Sequence, residues 1–237
     1  MFFSKNLINF YLLWSTQSLS SLGSAMTSFA LVVWSYQQNG SALTTALLSV
    51  SAYLPYVLMS LFAGAVSEQW DKKKTMLIAD ALAAAGTICI LLLYITGRLE
   101  IWHIYLVNSI NGFMNTVQRP AADVAVTLIV PEHRWQHAAA LRSFSDSVQN
   151  ILSPVCAMAL YIFGGLKVVI YFDLVTFCTA FAVLLFMIHL PLQPTQNRTE
   201  SVLCAVRDAL RFLSRNRGVL HIILFLAAIN FIASIYN

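Results

Sequence analysis

The chain has 237 residues, of which 59% are hydrophobic and only 10% are charged, and its mean hydropathy is +0.72. Soluble globular domains carry about 25% charged residues, so this composition excludes an ordinary water-soluble protein and predicts one that is solvated by the lipid bilayer. The net charge of +4 is attributed to basic loops at one membrane face, so nucleic acid is not a predicted partner.

Seven apolar segments are predicted to be membrane-spanning helices. About 20 apolar residues suffice to cross the hydrocarbon core, and a helix satisfies its own backbone hydrogen bonds there. The first two segments fill the stretch from Lys5 to Glu68, which contains no other charged side chain, and the first is too long for a secretory signal peptide. In chain order, the predicted spans are Ile8 to Tyr36, Ala46 to Ser67, Thr75 to Thr96, Ile101 to Leu128, Gln136 to Gly164, Val168 to Leu190, and Gly218 to Asn237.

Loop lengths divide the chain into three parts. Short loops join the first six spans and predict a bundle of antiparallel neighbours over residues 1–190, an all-α integral membrane fold. Residues 191–217 are predicted to be a cytoplasmic linker with a basic amphipathic helix, which serves either as a tether or as a docking surface. Residues 218–237 are predicted to be a seventh span that starts a second bundle, so we expect the chain to be the front part of a longer one.

The basic residues are distributed unevenly between the two predicted membrane faces. Most of the 14 Lys and Arg residues fall in segments on the side of the N-terminus, including Lys72, Lys73 and Lys74, whereas the loops on the other side hold only Arg98 and Lys167. Because cytoplasmic loops of membrane proteins are enriched in Lys and Arg, the N-terminus is predicted to be cytoplasmic.

Two of the predicted spans carry a stripe of polar side chains at helical spacing. Such a stripe either lines a water-filled cavity or bonds to a neighbouring helix. The amide-rich stripe of the fourth span favours a cavity lining, whereas serines alone favour packing. The stripe residues are Gln17, Ser21, Ser24 and Ser28 in the first span, and Asn108, Asn111, Asn115 and Gln118 in the fourth span.

Ionisable side chains form a second candidate group, because charges inside a membrane usually mark functional sites. We interpret all of them except Asp173, which lies early in the sixth span, as a gate-like salt-bridge network or as a solvated vestibule. Arg142 and Asp146 are four residues apart and are expected to contact each other. Asp146 lies deepest and is the predicted proton carrier. The members of the group are Asp80, Arg119, Asp123, Arg142, Asp146 and Asp173.

No pattern typical of an enzyme or a cofactor site is present in the sequence. A nucleophile with a matching base, a set of metal ligands and a phosphate-binding loop are all missing. We therefore predict no catalytic residues, no metal and no cofactor, with a proton gradient as the energy source.

The loop between the second and third spans resembles the cytoplasmic signature of the major facilitator superfamily, commonly written Gly-x-x-x-Asp-Arg-x-Gly-Arg/Lys-Arg/Lys. Gly64 and the three lysines at 72–74 fit the signature, whereas Glu68 stands at the usual Asp and Asp71 at the second Gly. An acid here can cap a helix N-terminus while the lysines hold the membrane surface. We expect the loop to act as a latch that favours one state of a carrier.

Further stretches resemble the efflux branch of this superfamily that includes macrolide exporters and the enterobactin exporter. Their order and spacing along the chain match that branch. These stretches are Pro120–Ala121, Leu128–Glu132, Ala138–Leu141, Phe172–Phe177 and Arg207–Asn216.

The resemblance implies a twelve-helix carrier of two six-helix halves, with the substrate held between them and access alternating by rocking. It implies proton-coupled efflux of small hydrophobic or amphipathic compounds across a bacterial cytoplasmic membrane. The expected partners are a small-molecule substrate, the lipid bilayer and the C-terminal half of the same carrier. A specific exporter of one metabolite or siderophore, and a membrane scaffold or regulator without transport activity, remain as alternatives.

Overall fold

Helices make up nearly all of the described part of the protein. A computed structural model describes residues 2–188, 211 and 215–236, with side chains for residues 7–60, 70–188, 211, 215–216 and 218–229. The chain divides into two compact units, Met1–Thr195 and Gln196–Asn237. The helices are α1 (Phe2–Asn39), α2 (Ala42–Gln69), α3 (Lys72–Ile95), α4 (Ile101–Ile129), the segment Trp135–Ala182, which contains α5 and α6, and α7 (Arg217–Tyr236).

A single glycine separates α5 from α6. Gly165 has φ 70° and ψ −169°, a conformation open to glycine but strained for other residues. The chain reverses there, so α5 covers residues 135–164, and α6 covers residues 166–182 and continues into a π-helical turn, Val183–Met187. The predicted break between the fifth and sixth spans is confirmed. The predicted linker helix at 191–217 lies largely outside the described residues.

Several helices have the length and composition needed to cross a membrane. Among the described residues, these segments are Ala42–Ser60, Lys72–Ile95 and Glu132–Met187, the last of which contains both α5 and α6. Helices α1 and α4, of 38 and 29 residues, are also long enough, but their polar stripes lower their hydropathy. In the second unit, the described part of α7 contains a shorter apolar helix, Gly218–Ile229.

Within the first unit, the most extensive helix packing joins helices that are not neighbours in sequence. Helix α1 packs mainly against α5 and α6, and α2 packs mainly against α4. Ser18 contacts Ser145, and further along both helices Gln37 contacts Tyr161, so α1 and α5 run in the same direction. Sequential helices alternate in direction, as predicted, but short loops did not reveal which pairs pack tightly.

The core consists of two apolar clusters at opposite ends of the bundle. One cluster includes Phe10, Met76 and Leu184. It lies at what we call the lysine end, where Lys73 contacts the turn that follows α6. The other cluster lies toward Gly165 and includes Met26 and Ile170. On every helix that contributes to both clusters, at least one polar residue lies between them, such as Asp80 on α3 and Asp173 on α6. The bundle therefore contains a polar layer at mid-height.

Candidate functional site

The polar layer joins three helices through the carboxylate of Asp80 on α3. Gln17 Nε2 of α1 donates to Asp80 Oδ2 at 3.4 Å, and Gln118 Nε2 of α4 donates to Oδ1 at 2.5 Å. All three side chains are half-buried. The sequence placed these residues in two separate groups, a charged set and two polar stripes, whereas the structure combines them in one site.

A second carboxylate, that of Asp173 on α6, lies against α1. Ser24 Oγ donates to Asp173 Oδ1 at 2.9 Å, and only 3% of Asp173 is exposed. The nearby pair of Ser18 Oγ and Ser145 Oγ, 3.0 Å apart, joins α1 to α5. The polar stripe of α1 indicated that these serines share a face, but no sequence signal paired Ser24 with Asp173.

The predicted contact between Arg142 and Asp146 is wrong. Arg142 of α5 forms an ion pair with Asp123 of α4, and the side chains are 42% and 55% exposed. Spacing of four residues aligns Arg142 with Asp146 on one helix, but the long guanidinium side chain reaches the neighbouring helix instead.

The remaining charged candidates do not extend this ion pair into the predicted network. Among the residues with described side chains, Arg119 and Asp146 are exposed and take part in no ion pair. That Asp146 lies deepest in the membrane stays a prediction, but its side chain is exposed. Depth along a helix does not determine burial, and the more enclosed acids are Asp80 and Asp173.

The polar stripe of α4 separates into residues with different roles. Asn108 Nδ2 donates to Leu48 O of α2 at 3.4 Å, so this residue bonds to a neighbouring helix and does not line a cavity. Asn111 Oδ1 is buried without a hydrogen-bond partner among the described residues, whereas Asn115 is exposed. Other α4 side chains repeat the contact with α2 backbone carbonyls, and these are Tyr105 to Thr44, Ser109 to Ser51, and Thr116 to Tyr56.

An exposed polar surface, which we call the polar face, is formed by residues of three helices. On α5, exposed polar residues recur at spacings of three and four around Asp146, a helical pattern that is also present in the sequence. Helix α1, which carries three residues of this surface, packs against both α4 and α5. The polar face consists of Ser21, Ser24 and Ser28 of α1, Asn115 of α4, and Ser143, Asp146, Ser147 and Asn150 of α5.

The signature loop lies at the lysine end. Asp71 is the N-cap of α3, and its Oδ1 accepts a hydrogen bond from Lys74 N at 2.9 Å. Lys73 Nζ donates to Leu185 O at 2.9 Å and to Ile188 O at 2.7 Å, so it binds the turn that follows α6. Lys72 Nζ donates to the carbonyl of Trp70 at 2.9 Å. Gly64 and Glu68, at the start of the signature, lie outside the residues whose surroundings are described.

Within the part of the chain whose side chains are described, no three His, Cys, Asp or Glu residues are grouped as metal ligands would be. The polar layer and the polar face are the main polar arrangements of the first unit. Both lie within the membrane-spanning helices, where polar side chains ordinarily face a cavity or another helix.

Comparison with known families identifies the class of protein. The sequence model of the Major Facilitator Superfamily matches residues 13–237. The chain belongs to this superfamily. Major facilitator proteins are transporters, so the predictions of a membrane transporter fold and of a non-enzymatic class are confirmed.

Individual relatives of this major facilitator protein are efflux proteins. Macrolide efflux protein A of Streptococcus pyogenes is 24% identical over 220 residues, which are 92% of this chain and 54% of that protein. The protein of the same name from Enterococcus faecalis is 24% identical over 188 residues, which are 78% of this chain and 57% of that protein. The chain thus spans about half the length of the curated relatives it matches, and its resemblance to the macrolide-efflux branch is confirmed.

Proposed function

We propose that this major facilitator protein is a proton-coupled exporter of small hydrophobic or amphipathic compounds, of the macrolide type, in a bacterial cytoplasmic membrane. The observation that carries the proposal is the polar face. Exposed serine, asparagine and aspartate side chains at mid-membrane depth are costly against lipid. They therefore border a water-filled route or a second helical bundle of the same carrier.

The composition of the polar face suits amphipathic substrates. Short hydroxyl and amide groups on α1, α4 and α5 provide a few hydrogen bonds, while the surrounding exposed side chains, such as Phe144 and Ile151, are apolar. Ligand sites of this mixed kind hold apolar molecules and orient them by a small number of polar contacts. The similarity to macrolide efflux proteins supports amphipathic compounds as the substrate class.

For the coupling step, we assign the proton to Asp80. This carboxylate is held by one donor from α1 and one from α4, so gaining or losing a proton changes contacts among three helices at once. A proton-dependent change in helix packing is what alternating access requires. Asp146, on the polar face, is the acid that substrate and water would meet directly, and its part in coupling remains a second hypothesis.

For orientation, we propose that the lysine end faces the cytoplasm, as the distribution of Lys and Arg predicts. The binding of Lys73 to the turn after α6 then stabilises the cytoplasmic end of the bundle. Labelling of a cysteine introduced at the exposed Lys74 in a cysteine-free background tests this. A membrane-impermeant reagent should label that cysteine in inverted vesicles and not in intact cells, and the reverse pattern would refute the orientation.

The function itself is tested by accumulation of a radiolabelled macrolide in cells that express the full coding sequence. We expect lower accumulation than in cells with an empty vector, and an uncoupler should abolish the difference. Asp80→Asn should remove most of the uncoupler-sensitive efflux. Glu132→Gln, at an exposed acid that precedes α5, is the matched control, and it should leave efflux unchanged. Equal accumulation with and without the protein would refute macrolide export.

A further inference from the structure

Asp173 is a second enclosed acid, separate from Asp80, to which the coupling proton is assigned. It lies on α6, almost fully buried, with its carboxylate against α1. Gly23 of α1 makes this approach possible, because a Cβ atom at that position would lie 2.5 Å from Thr176 Oγ1 and 3.1 Å from Asp173 Oδ1. The two helices therefore meet closely at an acidic side chain, where a purely structural contact would use an apolar or a hydroxyl group.

Among the residues whose side chains are described, no basic group forms an ion pair with Asp173. The part of α1 with described side chains contains no Asp, Glu, Lys or Arg. On the other helices, Asp80 is bonded to glutamines and Arg142 to Asp123. Burying an isolated carboxylate charge is very unfavourable, and such a group ordinarily becomes neutral instead. Asp173 thus has the surroundings of a carboxyl group that binds a proton.

Its neighbours are hydroxyl groups, which suit both protonation states. Ser24 Oγ donates to the carboxylate, and Thr27 Oγ1 is buried beside it. A hydroxyl can donate to a carboxylate and can also accept from a carboxylic acid. The site can therefore exchange a proton without leaving a buried polar group that has no possible partner.

Ser24 connects this buried site to the polar face. Its side chain is exposed there, while its hydroxyl bonds to Asp173. Gln17, which bonds to Asp80, lies seven residues earlier on the same side of α1, a distance of about 10 Å along a helix. One helix thus contacts both enclosed acids, at two levels of the bundle.

We propose that Asp173 is a second proton-binding carboxylate of this carrier and that it exchanges its proton with the polar face through Ser24. In the exchange, a hydronium ion at the polar face gives a proton to Ser24 Oγ, and the serine passes its own proton to Asp173 Oδ1. Only O–H bonds form and break, and the reverse path releases the proton. The use of this proton for export depends on the proposed function, whereas its binding does not.

Infrared difference spectroscopy of the purified full-length carrier tests proton binding without any substrate. The wild-type protein should show a carboxylic acid C=O band that is present at acidic pH and lost at alkaline pH. The Asp173→Asn variant should lack that band, and Asp80→Asn should retain it. An unchanged spectrum in Asp173→Asn, or a band that does not respond to pH, would overturn the proposal.

A second pair of variants tests the role of Ser24 in a protein that retains Asp173. Ser24→Ala should shift the frequency of the Asp173 band, because the carboxyl group loses its hydrogen-bond donor, and should slow its response to a pH jump. Ser21→Ala is the matched control on the same helix face, and it should change neither. Equal behaviour of the two variants would refute exchange through Ser24. A carrier that exports no macrolide but shows these bands would refute only the proposed function.

Discussion

The two main helix contacts in the bundle use polar residues in different ways. Between α1 and the pair of α5 and α6, polar side chains meet other side chains, as in Ser18 with Ser145 and Ser24 with Asp173. Between α2 and α4, side chains of α4 bond to backbone carbonyls of α2, as Asn108 does with Leu48.

The first kind of contact can change when a carboxylate gains or loses a proton, whereas the second kind holds two helices together. A backbone carbonyl neither titrates nor changes rotamer, so bonds to it stabilise a fixed pair. Side-chain pairs that include a carboxylate can change with protonation and with the solvent at the polar face. We therefore expect α2 and α4 to move as one body and the contacts of α1 to change during transport.

The largest effect is expected from Gly112→Val, which tests the close packing of α2 against α4. A Cβ atom at Gly112 would lie 2.1 Å from the carbonyl oxygen of Ala52, and this backbone atom cannot move aside without displacing α2. We expect a loss of about 3 kcal/mol or more in stability, seen as a lower unfolding temperature in detergent. Gly218→Val, at a glycine with open space around it, is the control. A normal unfolding temperature for Gly112→Val would contradict the close packing.

The second largest effect is expected at the hydrogen bonds that hold the Asp80 carboxylate. Gln118→Leu removes a donor from the half-buried carboxylate of Asp80 and should cost about 2 kcal/mol, as expected for a hydrogen bond to a charged group. Efflux should fall as well, since the proposed coupling site loses its link to α4. Gln38→Leu makes the same replacement at an exposed position and is the control. It should change neither the unfolding temperature nor macrolide accumulation.

A smaller effect is expected for the ion pair between Arg142 and Asp123. Both side chains are about half exposed, so either single reversal, Arg142→Asp or Asp123→Arg, should cost about 1 kcal/mol or less. The double reversal should recover part of this loss. A double-mutant cycle on unfolding free energy measures the coupling, and a coupling energy of zero would remove any role for this pair in joining α4 to α5.

The smallest effects are expected for Asn108 and Asn115, which belong to the polar stripe of α4 but have different surroundings. Asn108→Ala should cost roughly 0.6 kcal/mol, the average for a hydrogen bond between membrane helices, with little change in efflux. Asn115→Ala, at an exposed position on the polar face, should leave stability unchanged and alter the relative efflux of different macrolides. The opposite assignment of effects would show that the α4 stripe is divided differently.

The sequence by itself determined the membrane class, the helical segments and the family. These follow from hydropathy, segment length and short motifs, which are local properties of the chain. The break between α5 and α6 was predictable for the same reason, because glycine at position 165 permits a conformation that other residues avoid.

The tertiary structure alone decided which side chains meet. Helical spacing places Asn108 and Asn115 on one face, but it does not reveal that only the first lies against α2. It aligns Arg142 with Asp146, yet the guanidinium binds Asp123 on another helix. The contact of Ser24 with Asp173 joins residues 149 positions apart. Periodicity defines the faces of a helix, whereas packing among all six helices of the bundle chooses the neighbour of each face.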